Sequence, residues 1–266
     1  MTTATIELNR TDLLHVFRTR YGIDRQVGPK PQRRLDFGYF SPDLYYEATV
    51  EKLVTPGSRW LDVGGGRDVF PMNPQFSQTL ANRTSDFVGV DPSANIHENP
   101  FVRERRQCLI EDYQTDKTFD VITMRMVAEH VTNPQAALAK IASLLAPNGK
   151  LVVYTINKWT PIAIAAMLIP FRLHHPIKKL VWKTEEQDTF PVSYQLNTRR
   201  ALRHFTRQAG LTEMSFRYLD DCRTFFRFDQ LHYTELRIWR FIHRMGLTYP
   251  ENCLLGVYSK PETPSA

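Results

Sequence analysis

The sequence predicts an α/β fold in which short parallel strands are joined by helical crossovers. Apolar runs of four to six β-favouring residues recur after Gly57, at Arg59–Val63, Asp86–Val90, Gln107–Ile110, Phe119–Met124 and Lys150–Thr155. Each is followed by a polar or helical stretch, the alternation that parallel strands with crossovers require. The clearest crossover helix is Pro134–Leu145, where Ala137, Leu138, Ile141, Leu144 and Leu145 recur at three- and four-residue spacing. Asn133 stands ready to cap it, Pro134 suits its first turn, and Pro147-Asn148-Gly149 ends it.

At 266 residues the chain fits a single domain with insertions. Hydrophobic residues make up 42% and charged residues 23%, proportions that exclude wholesale disorder and a membrane-spanning class. The opening MTTATIELNRTDLLHVFRTR meets charges before any apolar run of signal-peptide length, and no stretch reaches the roughly 20 apolar residues of a bilayer span. Cytoplasmic residence is the expectation. Cys108, Cys222 and Cys253 are widely spaced with no CxxC pair, which argues against a disulfide framework and a thiolate metal site; no metal is expected. The net charge of +6 is uneven, because residues 1–150 hold 18 basic and 18 acidic side chains whereas 151–266 hold 16 and 10. Such a bias suits a solvated basic face, an anionic substrate or a membrane surface.

Residues 1–50 are expected to form a helical cap. Residues 6–20 carry one apolar helical stretch and Leu44–Val54 a second, opened by Ser41-Pro42-Asp43, with VGPKPQRRLDFGYF between them as a loop. Residues 51–157 form the core, and 158–196, broken by four prolines, form a lid-like insertion. Residues 197–261 complete the core. They offer a helix from Thr198 to Gly210, a strand near Thr212–Leu219, a helical insertion near 222–250 with an aromatic-rich helix at Phe225–Met245, and a closing strand Cys253–Ser259.

The run Arg59-Trp60-Leu61-Asp62-Val63-Gly64-Gly65-Gly66-Arg67-Asp68 is a strand entering a glycine-rich turn. Where a parallel strand feeds a crossover, a turn without Cβ atoms lets a ligand press on bare backbone. About 25 residues on, Phe87-Val88-Gly89-Val90-Asp91 is an apolar strand ending in a carboxylate, which suits the two hydroxyls of a ribose. Each has a plainer explanation, since tight turns need glycine and Asp91-Pro92-Ser93 is a good turn starter. Their occurrence in register favours a nucleoside site.

Together WLDVGGGRD, GVDPS, FDVITMRMVAEHV and LLAPNGKLVVYT resemble the successive motifs of class I S-adenosylmethionine-dependent methyltransferases, in the small-molecule branch related to ubiquinone-type enzymes. The resemblance covers roughly residues 55–157. It implies a Rossmann-like, seven-stranded, mostly parallel sheet with the last strand antiparallel, and S-adenosylmethionine across the carboxyl ends of the first strands. It further implies that Asp62, Gly64, Gly65 and Gly66 face the methionine portion and that Asp91 and Pro92 hold the ribose. Ile110 and Glu111 would flank the adenine, and Met124 and Arg125 would lie near the sulfonium. One departure stands out: Asp68 occupies the position of the motif's last glycine, and a place in the first turn of the following helix would put that carboxylate at a favourable dipole end. The departure also leaves open a descendant that binds cofactor or a partner without catalysis.

A nicotinamide enzyme is the main rival. Its G-x-G-x-x-G pattern, counted from Gly64, requires glycine where Val69 stands, and Asp68 would repel a pyrophosphate. Methyl transfer from a sulfonium is an in-line displacement needing alignment and, for a hydroxyl acceptor, a base. His130 is the first candidate base. It follows the fourth strand, where a structural role at the helix start would equally explain it. Tyr194, Trp159 and His174 are candidate acceptor contacts. Trp159–Phe171 is almost wholly apolar and is followed by basic residues, which suits a lid or a peripheral membrane contact through 159–179. No separate nucleic-acid module or dense basic tract is present, so a small-molecule acceptor is expected rather than RNA or DNA.

Overall fold

The computed structural model describes residues 6–23, 26–168 and 192–262. Its core is a seven-stranded sheet in the order β3-β2-β1-β4-β5-β7-β6. The strands are β1 (Arg59–Val63), β2 (Asp86–Val90), β3 (Glu104–Arg106), β4 (Phe119–Arg125), β5 (Leu145–Ile156), β6 (Thr212–Asp220) and β7 (Asn252–Ser259). Strands β1 to β5 pair in parallel, and β7 runs antiparallel between β5 and β6. This is the Rossmann-like arrangement expected. Because side chains alternate along a strand, Trp60, Phe87, Val121 and Val152 fill one face and Leu61, Val88, Ile122 and Leu151 the other.

The first face is covered by α1 (Arg10–Tyr21), α3 (Pro42–Leu53) and α4 (Pro74–Arg83), the second by α5 (Pro134–Leu144) and α7 (Arg199–Gln208). Local chemistry sets these ends. Asn9 and Asp12 form a reciprocal capping box on α1, Asn133 accepts from the Ala136 amide at the start of α5, and the Thr198 side chain caps α7. The remaining helices are α2 (Pro29–Phe37), α6 (Pro161–Leu168) and α8 (Asp229–Arg244).

Three expectations are corrected. The stretch around Pro29 is a helix, α2, because the residues that suggested a loop serve as its punctuation: Gly28 is its N-cap, Pro29 its first residue and Gly38 its left-handed terminus. The third strand is Glu104–Arg106 rather than Gln107–Ile110. It is an edge strand pairing only with β2, so it needs no apolar run, while Ile110 is buried on a short 3-10 turn. Asp68 is not in the first turn of a helix, because α4 starts only at Pro74 and the intervening Val69 and Phe70 are buried in the core.

Candidate functional site

The glycine turn follows β1 at the carboxyl edge of the parallel strands. Gly64 continues the pairing with β2 through its amide to the Val90 carbonyl at 2.7 Å, at φ +75°. A Cβ there would stand 2.0 Å from Val127 Cγ2, so the turn after β4 closes directly on bare backbone. Gly66, at φ +37°, donates its amide to Asp91 Oδ2 at 3.0 Å. The other Asp91 oxygen accepts from the Ser93 amide at 2.7 Å. A Cβ on Gly66 would find only Asp91 Oδ2, at 4.0 Å, which leaves open space beside both groups. Gly65 is held by Asn99 Nδ2 on its carbonyl at 2.9 Å.

Asp62 lies buried beneath this turn. The Thr123 hydroxyl donates to its Oδ1 at 2.6 Å and receives the Trp60 indole N–H at 2.8 Å. Burial pushes the Asp62 carboxyl up to about 7, against the pull of the Thr123 hydrogen bond and Arg125. Asp68 is raised by partial burial and lowered by Arg125. Met124 is fully buried at the end of β4, and the half-buried Arg125 beside it acts electrostatically on Asp43, Asp62, Asp68 and Glu129. Carboxylates outnumber cations around the turn. Such a cradle fits a ligand with a sulfonium and an ammonium and a neutral ribose, and it disfavours a pyrophosphate. Pro92 is exposed, Ile110 buried and Glu111 half-buried on the turn 110–112.

A second group gathers beyond β4, on a turn before α5. Glu129 is buried, accepts the Thr155 hydroxyl at 2.6 Å, and has its carboxyl raised by burial. Asn197 Nδ2 donates to Thr155 Oγ1 at 2.8 Å. The amides of Ser193 and Tyr194 both donate to the Glu129 carbonyl, at 2.7 and 3.2 Å. These bonds bring Tyr194, at φ +53°, against the corner that carries the half-buried His130. Burial raises the Tyr194 phenol and the Glu129 charge adds to it. Trp159 is 64% exposed, with Lys158 Nζ 5.0 Å from its ring centre. His174 and most of the stretch 159–179 lie outside the described residues.

The structure adds a charged network that the sequence does not announce. Arg20 of α1 pairs with Glu47 of α3, which also accepts from Asn73 Nδ2 at 3.0 Å. Burial pushes Glu47 up to about 7 in spite of Arg20. Asp43 takes the Tyr154 hydroxyl at 3.1 Å and pairs with Arg223, which forks onto Asp221 at 2.6 and 2.7 Å. Tyr154 is the β5 partner of Arg125, so the network ties α1 and α3 to the carboxyl edge of the sheet. Its members are 27 and 180 residues apart, and no local pattern links them.

A mostly parallel seven-stranded sheet with a bare-backbone turn after its first strand and a carboxylate at the next strand tip is the Rossmann-like fold of the class I methyltransferase type. The chain matches the model of the methyltransferase domain family over residues 40–215, well over half its length, and belongs to that family. Family and sheet topology together make it a methyltransferase domain of the Rossmann-like class I type. Among its relatives is the ubiquinone biosynthesis O-methyltransferase of Rhodopseudomonas palustris strain TIE-1, 26% identical over 166 residues, covering 58% of this chain and 62% of that protein. The corresponding protein of Aeromonas salmonicida strain A449 is 31% identical over 123 residues, covering 42% and 49%. The chain thus spans less than two thirds of these relatives. In fold it is similar to the methyltransferase in a complex with the Haloferax volcanii Trm112 methyltransferase activator, at TM-score 0.54 and 14% identity over 96% of this chain and all of that one. It is also similar to the cyclase SpnF, at TM-score 0.51 and 14% identity over 82% of each chain.

Proposed function

We propose that this chain transfers the methyl group of S-adenosylmethionine to a small-molecule acceptor through a hydroxyl or similar nucleophile, with lipidic, quinone-like and glycan-related molecules as the acceptor classes. The observation that carries the reading is the shared edge of two groups: the cradle of Asp62, Gly64–Gly66 and Asp91, and the corner of Glu129, His130 and Tyr194, both at the carboxyl ends of β1, β2 and β4. The O-methylating relatives support an oxygen nucleophile.

When bound, S-adenosylmethionine supplies an activated methyl group, so the protein's work is alignment, exclusion of water and proton removal. Asp91 and the bare turn position the nucleoside, and Asp62 and Asp68 favour its cationic portion. His130 takes the acceptor proton, and Tyr194 lines the acceptor side. The reading is tested by incubating the protein with labelled S-adenosylmethionine and matched phenol and aniline acceptors, with and without an apolar tail. Label on the phenols supports it; label only on the anilines, or none on any acceptor despite cofactor binding, overturns it.

A further inference from the structure

We propose that the outward face of α8, with the aromatic turn before it, docks on an anionic lipid surface. Residues 225–247 carry nine of the sixteen large apolar side chains that stand exposed among the described residues. The helix does not lack anchoring, because His232, Glu235, Leu236 and Trp239 are buried and Trp239 Nε1 bonds Asp220 at 2.8 Å. An ordinary surface helix turns its one apolar stripe to the core; this one has a second, facing out.

At about 100° per residue, Leu231, Ile238, Phe241 and Met245 fall within one arc of the helix, and Arg237, Arg240 and Arg244 form the adjacent column. Phe228 and Leu247 extend the exposed apolar surface at either end, and Phe228 and Phe241 are 61% and 64% exposed. Among the described residues none of the three arginines makes an ion pair or a side-chain hydrogen bond. Two rest on rings instead, Arg237 5.9 Å from the Tyr233 ring centre and Arg240 5.4 Å from that of Phe37. On the far side of the column lies a groove of about 520 Å³, walled by Tyr39, Tyr45 and Trp239, to which Arg217, Arg240 and Arg244 contribute. The one carboxylate there, Asp220, is already bonded to Trp239.

An apolar stripe edged by unpaired guanidiniums is the pattern of a helix lying in a bilayer interface, with rings and aliphatic chains at acyl depth and arginines at phosphate level. A nucleic acid would leave the stripe without a role. A second copy of the chain docked about a two-fold axis would bring two equal arginine columns together.

The test is co-sedimentation of the full chain with vesicles of phosphatidylglycerol and phosphatidylcholine, against phosphatidylcholine alone, at low and high salt. Wild type should pellet with the anionic vesicles only and be released by salt. Ile238→Glu with Phe241→Glu, and Arg240→Glu with Arg244→Glu, should each abolish pelleting, with partition weakened roughly five-fold for every positive charge lost. Unchanged melting temperature and S-adenosylhomocysteine binding establish that the variants are folded. Failure of wild type to bind anionic vesicles overturns the inference. So does equal binding by both variants, which would assign the contact elsewhere, as to 159–179. A dimer in light scattering that Ile238→Glu with Phe241→Glu dissolves also overturns it.

Discussion

The Gly66 amide donates to the Asp91 carboxylate across 3.0 Å, joining the turn after β1 to the tip of β2. The bond makes one concave edge of two distant stretches of sequence. It also leaves acceptor capacity on Asp91, since each oxygen takes only one backbone N–H and an ionised carboxylate offers about four lone-pair sites.

Two glycines of the turn should fail in different ways. Gly64→Ala drives a methyl group into Val127 Cγ2. It should cost about 1–3 kcal/mol from overpacking, with a further ~1 kcal/mol from the left-handed backbone. Gly66→Ala carries a similar left-handed cost at φ +37° but meets no close atom, and its methyl group stands in the space beside Asp91. Thermal melting should fall several degrees further for Gly64→Ala than for Gly66→Ala, and calorimetry should show weakened S-adenosylhomocysteine binding in Gly66→Ala.

Cofactor affinity should depend on pH through Asp62. The free protein holds this carboxyl up to about 7, and a bound ammonium favours its ionised form, so affinity rises with pH and levels off above about 7. With one proton involved, the steepest slope is about tenfold per pH unit. The free protein should move the other way in stability: burial raises the folded-state carboxyl above its ordinary 3.8, so its contribution is fully present below 3.8 and is lost as pH rises through about 7. Titration calorimetry between pH 5 and 8 checks the first effect, and Asp62→Asn should flatten it.

If His130 removes the acceptor proton, His130→Gln should lower kcat about 100-fold or more while leaving S-adenosylhomocysteine affinity unchanged. Equal losses in affinity and melting temperature would instead mark a structural histidine.

Glu129 holds a chain of buried groups, accepting from Thr155, which in turn accepts from Asn197. Glu129→Ala should cost about 1–3 kcal/mol by stranding the Thr155 hydroxyl, and Glu129→Gln, which keeps an acceptor oxygen, should recover much of it. Chemical denaturation of the two variants gives the comparison.

Much of the fold was legible because burial writes a period into the chain. The apolar runs at 59–63 and 86–90 coincide with β1 and β2, and the spacing from Ala137 to Leu144 matches the buried side of α5. What escaped lacked such a period or reached too far. Glu104–Arg106 is a polar edge strand, α2 is framed by residues that also make loops, and Asp68 is separated from α4 because Val69 and Phe70 turn into the core. In the site, Gly64–Gly66 and Asp91 were visible as types at a fixed interval. The Arg20–Glu47 and Asp43–Arg223 pairs were not, because only the folded chain brings α1, α3 and the segment after β6 together.

The most direct measurement is calorimetric titration of the wild-type chain and of Asp91→Asn with S-adenosylhomocysteine. One site per chain is expected, with affinity at least about tenfold weaker in the variant, the equivalent of ~1.4 kcal/mol for a lost carboxylate hydrogen bond. Absence of binding by the folded wild type, or equal affinity in Asp91→Asn, would contradict a nucleoside site built from Gly66 and Asp91.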